Sequence, residues 1–415
     1  MGSLRRPGSF ARRAGTLFGA TAMAQAISIL ASPILTRLYE PRDFGLMALF
    51  TSFAAIGFSF SSGQYQSAIV LPESDDDAWG LLIACAGLAT AVSLLVLVVL
   101  QLATFVEPQF TRVIVLGLSI YIWSLAVTEA LNHWLMRTGR FRILAFSRLG
   151  IVITSTSLTL SLGFWGWRHE GLILGTVVGQ GVPVLVLGSY VFLARASGTR
   201  SVPLHRVKQV IKRYQRFPKY SLPAELVSTV SYQMPVLLIT RFFGPAISGL
   251  FALTQRLLGM PLVLVSRAVL DVFKQRASSD YVREGRCDDI FRKTFLFLCA
   301  IGVPGFLLLA LIAPSLFAIV FGPKWRTSGE YAQLLAPMFF FRFVASPLSY
   351  VLFITDRQPL DLVLQVVLLV ASAASLSAGL YFGSIKIGLA AFSAAYSILY
   401  MTYLVVSYRL SKGRA

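Results

Sequence analysis

Thr36-Arg-Leu-Tyr-Glu-Pro-Arg-Asp-Phe-Gly-Leu-Met-Ala-Leu49 recurs, ungapped, as Thr240-Arg-Phe-Phe-Gly-Pro-Ala-Ile-Ser-Gly-Leu-Phe-Ala-Leu253. The matched pairs are Thr36/Thr240, Arg37/Arg241, Pro41/Pro245, Gly45/Gly249, Leu46/Leu250, Ala48/Ala252 and Leu49/Leu253. The offset is about half of the 415-residue chain. Each copy joins the end of one long apolar segment to the start of the next. A duplicated chain of this kind implies two membrane-embedded halves. Such halves are the usual build of a transporter, with the substrate bound between them.

The composition supports a membrane setting. Hydrophobic residues make up 56% of the chain and charged residues only 13%, against roughly 45–50% and 25% in a soluble domain. Mean hydropathy is +0.72. No polar stretch is long enough to build a separate soluble domain. Cys85, Cys287 and Cys299 lack disulfide or metal spacing. His133, His169 and His205 are too scattered for a metal site. A formal charge of +19 would suggest nucleic acid in a soluble protein; here membrane topology accounts for it, and no nucleic-acid partner is expected. Arg5, Arg6, Arg12 and Arg13 precede an apolar run, as in a signal peptide. The uncharged run over 14–36 is long enough to span a bilayer, so an uncleaved first helix is expected.

About twelve apolar segments reach spanning length. They cover 15–37, 44–66, 79–104, 112–136, 143–164, 170–194, 220–241, 245–273, 292–320, 330–354, 360–382 and 387–408. The fold expected is an all-α polytopic membrane protein of two six-helix bundles. Most of the 37 Lys and Arg fall in loops and tails on one side if both termini are cytoplasmic, which fixes the orientation. The loop over 66–78 dissents: it has no Lys or Arg and carries Glu73, Asp75, Asp76 and Asp77. Acidic residues count little in that rule, so the orientation stands. The longest basic stretch, 195–219, falls mid-chain. It divides the chain into an N-terminal bundle (1–194), a cytoplasmic linker and a C-terminal bundle (220–415). Its cations also suit anionic lipid headgroups.

Ionisable residues inside spans are costly and mark polar cavities or partners. Arg256 and Arg267 lie eleven residues apart, three helical turns, and so share a face if the helix is regular. Pro261 lies between them and is expected to kink the helix. Asp271 is within i,i+4 reach of Arg267. Two guanidinium groups lining a cleft would bind an anion such as phosphate. Arg148 begins a segment rich in small hydroxyls, with Ser155 and Thr159 on its face. These suit either a sugar or close helix packing, and packing is the favoured reading. Arg342 shares a face with Ser346 and Ser349. Gln25 lies on a face with Ser28, Ser32 and Thr36, and Gln233 with Glu225 and Thr229. Glu129 and His133, i and i+4, could exchange protons near neutral pH. Arg37 and Arg241 are expected to bond helix-end carbonyls.

The chain has no GxxxxGK[ST] phosphate loop, no HExxH and no GxSxG. No catalytic residue, metal or cofactor is expected.

Several stretches resemble bacterial polysaccharide flippases of the Wzx type, within the multidrug/oligosaccharidyl-lipid/polysaccharide (MOP) superfamily. They are Ile34–Gly45, Ser67–Asp77, Phe217-Pro-Lys-Tyr-Ser-Leu-Pro223 and Ala252–Pro261. The resemblance covers essentially the whole chain. It implies a V-shaped cationic cleft between two six-helix bundles in the bacterial inner membrane. It also implies alternating access for an undecaprenyl-diphosphate-linked oligosaccharide, such as an O-antigen repeat unit. Arg148 and Arg256 fall in matching segments and inherit the cationic lining. Arg342, Arg267, Gln25, Gln233, Glu129 and His133 rest on position alone. A polysaccharide polymerase and a chain-length regulator would be partners of such a protein. Two alternatives remain open: a cation-coupled multidrug exporter of the same superfamily, and a membrane polysaccharide polymerase. The buried charge is mostly arginine, which argues against the exporter. The outer loops are too short for the large periplasmic loop of a polymerase.

Overall fold

The computed structural model describes residues 7–103, 112–196 and 203–413. Among them every regular element is helical. Eleven helices among the described residues are long and apolar enough to cross a membrane. The protein is an all-α integral membrane protein. It forms two compact units. One contains the residues up to Tyr39 and Leu49–Val230, the other Glu40–Ala48 and Ser231–Ala415.

The first unit holds α1 (Pro7–Leu38), most of α2 (Pro41–Ser61), α3 (Asp75–Ala103), α4 (Arg112–Arg137), α5 (Phe141–Phe164) and α6 (His169–Ala196). It also holds α7 (Leu204–Arg213) and the first turns of α8 (Leu222–Phe243). Local chemistry starts these helices where they start. Pro41 occupies the first turn of α2, where a missing N–H costs nothing, and Asp43 accepts the Glu40 N–H at 2.9 Å. Ser74 precedes α3, and its hydroxyl accepts the Asp76 N–H at 3.2 Å, an N-cap bond. The small residues of α5 and α6 serve close packing. A Cβ added at Gly179 would lie 2.3 Å from Ser155 Cα, and one at Gly175 would lie 2.8 Å from Thr159 N. The backbones therefore touch, as is usual for small residues at membrane helix interfaces.

The second unit is built from α9 (Pro245–Pro261), a π-helical turn (Leu262–Ser266), α10 (Arg267–Glu284) and α11 (Asp288–Phe321). They are followed by α12 (Arg326–Leu348), the short α13 (Val351–Ile354), α14 (Gln358–Tyr381) and α15 (Ile385–Ser411). The span expected over 245–273 is not continuous α-helix. It breaks at Pro261, which offers no N–H to the ladder, and the chain takes an i→i+5 turn there. Among the described residues, the other eleven expected segments each coincide with a stretch long and apolar enough to span, and 245–273 does not. Phe273, Phe291, Phe317, Phe339, Phe343 and Phe392 fill the core of the unit.

The start of α2 belongs to this second unit, and there the two copies of the repeat meet. A Cβ on Gly45 would sit 1.7 Å from the Pro245 carbonyl oxygen, and one on Gly249 would sit 1.8 Å from that of Pro41. Each glycine thus accommodates the carbonyl of the other copy's proline. Phe44 packs edge-on against buried Trp325 at 5.0 Å beside this crossing. The motif repeats because both copies perform one reciprocal close approach, which only a residue without a Cβ permits.

Candidate functional site

In the first unit, Arg148 is half-buried on α5 and donates from Nη1 to Thr21 Oγ1 on α1 at 3.0 Å. The hydroxyls expected beside it serve the backbone: Thr159 donates to Ser155 O and Thr156 O, and Tyr39 Oη donates to Thr159 O at 2.7 Å. Gln25 is half-buried on α1. On the same helix, Ser32 donates to Ser28 O and Thr36 to Pro33 O. Glu129 and His133 come together on α4, with Nδ1 3.6 Å from the carboxylate and 2.9 Å from the Glu129 carbonyl. Asn132 Nδ2 reaches the same carboxylate at 3.4 Å, and its buried Oδ1 has no protein partner among the described residues. Ser59 donates to Thr229 Oγ1 at 3.0 Å, and Thr229 to Glu225 at 3.4 Å.

In the second unit, Gln233 on α8 is half-buried and Arg256 on α9 is exposed, and both interact with neighbouring groups. Arg267 opens α10, but its side chain lies outside the described residues. So does its expected pairing with Asp271. The shared face inferred for Arg256 and Arg267 assumes a regular helix, and the π turn between them changes that register. Arg342 is half-buried on α12, with its guanidinium carbon 5.5 Å from the centre of the Tyr232 ring. Among the described residues it has neither an ion pair nor a hydrogen bond. Ser349 on the same face donates to Ser346 O. Arg37 and Arg241 are exposed and bond no helix-end carbonyl among the described residues. The Arg241 guanidinium lies 5.8 Å from the centre of the Phe242 ring.

Two features escape a reading of isolated motifs. One is the Tyr232 ring beside Arg342, for which spacing along a single helix gives no signal. The other is a charge clamp around the first turn of α3. Arg137, in the last turn of α4, binds Asp75 at 2.8 Å and the Pro72 carbonyl at 2.6 Å. Arg195 binds Asp76 at 2.6 Å, and its guanidinium lies 4.7 Å from the centre of the Trp79 ring. Arg206 on α7 binds Asp77 at 2.7 Å, Asp76 at 3.3 Å and the Ser74 hydroxyl at 3.0 Å. Val207 and Val210 bury the apolar face of α7, and Tyr65 Oη donates to the Ile211 carbonyl at 3.3 Å. Three carboxylates at a helix N-terminus also complement its dipole. The dissenting acidic loop is therefore the counter-charge of the basic stretch. The Asp-Asp-Asp run at a helix start and the Val207/Val210 spacing were the available signals.

The chain matches the family described as "Polysaccharide biosynthesis protein" over residues 34–330, and it belongs to that family. Its fold is that of MOP-superfamily transporters. It aligns with an inward-facing multidrug resistance MATE family transporter of that superfamily at a TM-score of 0.69, covering 93% of this chain and 94% of that one at 13% identity. The lipid II flippase MurJ, in an inward closed conformation, gives the same TM-score of 0.69, with 95% and 87% covered at 13% identity. In sequence, the chain is 24% identical to the succinoglycan biosynthesis transport protein ExoT of Rhizobium meliloti (strain 1021), over 73% of this chain and 61% of ExoT. It is also 24% identical to the teichuronic acid biosynthesis protein TuaB of Bacillus subtilis (strain 168), over 36% of this chain and 31% of TuaB. The chain thus spans less than two thirds of either relative.

Proposed function

We propose that this protein is a flippase of the bacterial inner membrane. It carries a lipid-diphosphate-linked oligosaccharide from the cytoplasmic to the periplasmic leaflet by alternating access, with both termini in the cytoplasm. The observation that carries this reading is Arg342, a guanidinium inside an apolar helix with no carboxylate against it among the described residues. A charge in a membrane span is costly unless a partner or substrate compensates it, and a diphosphate matches the planar donor fork of arginine. Membership of a polysaccharide biosynthesis family and the MurJ-like fold support the same cargo class. Arg148, Arg256 and Arg267 add cationic character along the path, and Gln25 and Gln233 offer amides to the glycan. Glu129 and His133 are the candidate proton-coupling pair. The division at 195–219 into two bundles fits the two-half transport cycle. A polymerase and a chain-length regulator are the partners this role calls for.

The test is translocation in proteoliposomes. Fluorescent undecaprenyl-diphosphate oligosaccharide is incorporated, and its exposure to an external glycosidase is followed for wild type and Arg256→Ala. Faster exposure with wild type than with the variant is the expected result. No exposure with several glycans and imposed ion gradients overturns the reading and favours the multidrug exporter. Equal transport by both proteins removes Arg256 from the path. Transport that ignores imposed pH and sodium gradients removes the coupling role of Glu129 and His133.

A further inference from the structure

We propose that the apolar groove between α11, α12 and α15 is a binding site for an anionic phospholipid of the surrounding bilayer. The lipid belongs to the leaflet on the side of the C-terminus, with an acyl chain in the groove and its phosphate at Arg292. Such a lipid is resident and distinct from the transported cargo.

The groove has a volume of about 480 Å³, within the size range of small-molecule pockets. All its walls belong to one compact unit. On α11, Arg292, Phe295 and Cys299 fall at i, i+3 and i+7 and so form one stripe. The stripe runs about 10 Å along the helix axis, room for the upper part of an acyl chain. On α15, Met401, Val405 and Tyr408 fall at i, i+4 and i+7 and form the facing stripe. Val344 on α12 lies beneath them, buried at 1% exposure. Leu296 on one lip is 56% exposed and Val405 on the other is 52% exposed. The groove therefore opens outward, toward hydrocarbon. Its walls offer water few hydrogen-bond partners, so a hydrocarbon chain is the filling that matches them.

One end of the groove is cationic. Among the described residues that line it, Arg292 alone is charged, and it is exposed. Lys412 continues the α15 stripe by one turn, with Nζ 4.5 Å from the centre of the Tyr408 ring. The two helix ends are held side by side. The Phe291 and Tyr408 rings lie 5.5 Å apart, and the Cys287 N–H donates to the Ser411 carbonyl at 2.7 Å. Asp288 and Asp289 sit in the first turn of α11, where they complement the helix dipole. Asp288 stands one turn before Arg292, yet among the described residues neither Arg292 nor Lys412 has an ion pair. An anionic headgroup supplies that counter-charge. Tyr408 marks the level where headgroup meets chain, the usual place of tyrosine in a membrane. A cargo that crosses the bilayer must leave such a rim, whereas a resident lipid keeps its phosphate there.

The experiment measures lipid binding to the full-length protein, released from detergent micelles, by native mass spectrometry. The probes are dioleoyl phosphatidylglycerol, dioleoyl phosphatidylethanolamine and undecaprenyl phosphate. Wild type should prefer phosphatidylglycerol to phosphatidylethanolamine by about fivefold or more. Arg292→Gln should weaken phosphatidylglycerol by about fivefold, the effect of one cation at a membrane surface, and leave phosphatidylethanolamine unchanged. Arg292→Lys should stay within about twofold of wild type, because the charge remains. Val405→Trp fills the groove from its exposed lip and should weaken both phospholipids. Added phosphatidylglycerol should also raise the melting temperature of wild type more than that of Arg292→Gln, since a ligand stabilises the state it binds. Equal phosphatidylglycerol binding by wild type, Arg292→Gln and Val405→Trp overturns the site. Equal binding of the two phospholipids by wild type overturns the anionic occupant. Loss of undecaprenyl phosphate but not phosphatidylglycerol in Val405→Trp assigns the groove to a polyprenyl tail and overturns the phospholipid. A wild-type dimer that Val405→Trp dissolves shows a second copy covering the groove and overturns it likewise. If Val405→Trp fails to fold, Arg292→Gln decides alone, because exposed Arg292 lies outside the packed core.

Discussion

Arg206 and Arg342 carry the same guanidinium in opposite surroundings. Arg206 is 36% exposed at the edge of the first unit and still binds two carboxylates and a hydroxyl. Arg342 is half-buried in a span of the second unit, beside the Tyr232 ring and with no carboxylate among the described residues. The first arrangement compensates charge internally and fastens α7 to α3. The second leaves charge to be compensated from outside. Cations that hold a fold together come with their anions, whereas a cation that serves a substrate is left without one.

Mutations can break this comparison. The largest effect expected is on transport by Arg342→Gln, which should fall by about tenfold or more while the melting temperature stays within about 2 °C of wild type. A large drop in melting temperature with proportionate loss of transport would class Arg342 with the structural arginines. Arg256→Ala should also lose transport with folding intact, and Arg256→Lys should keep part of it. Normal flux through Arg256→Ala would leave Arg342 to carry the anion alone.

The clamp should respond the other way. Asp76→Arg puts a third cation beside Arg195 and Arg206, so α7 should detach and the basic segment around Lys208 become a trypsin site while the spans stay folded. Limited proteolysis reads this directly, and an uncut segment would show that the Val207/Val210 face alone holds α7. Asp76→Asn, which removes the shared partner without repulsion, should cost about 1 kcal/mol, because Asp76 is 40% exposed and water screens the pair.

The smallest effect concerns Cys287, just before α11 and outside the spans. Burial, then the charges of Asp288 and Asp280, pushes its thiol up to about 11. Only the thiolate is nucleophilic, so at pH 8 about a thousandth of this thiol is reactive, and alkylation should accelerate as pH rises toward 11. The site should stay silent in the Arg342 and Asp76 variants if their folds are intact, which gives an internal control. Rapid labelling at pH 8 in wild type would show that this edge of the second unit opens readily.

How much could be read in advance differs from residue to residue. Pro41, Gly45, Pro245 and Gly249 stood out because the chain repeats them, yet their purpose needed coordinates: each glycine faces the other copy's carbonyl. Arg342 was legible as an intramembrane charge, but its tyrosine neighbour, Tyr232, comes from α8, far away in sequence. The face shared by Arg256 and Arg267 was drawn on a regular helix, and the π turn after Pro261 alters it. Arg206 read as one more linker cation until α7 was seen to dock on the acidic turn.

By itself, the sequence determined the membrane setting, the helical class and the duplicated plan. These follow from apolar run length and from the bilayer's demand that every backbone polar group be satisfied within its own segment. Both are properties of consecutive residues. Tertiary structure alone decided which arginines are neutralised and which remain open, because that depends on acids and rings brought close from distant helices. Charge is written along the chain, but its compensation is a matter of distances in space.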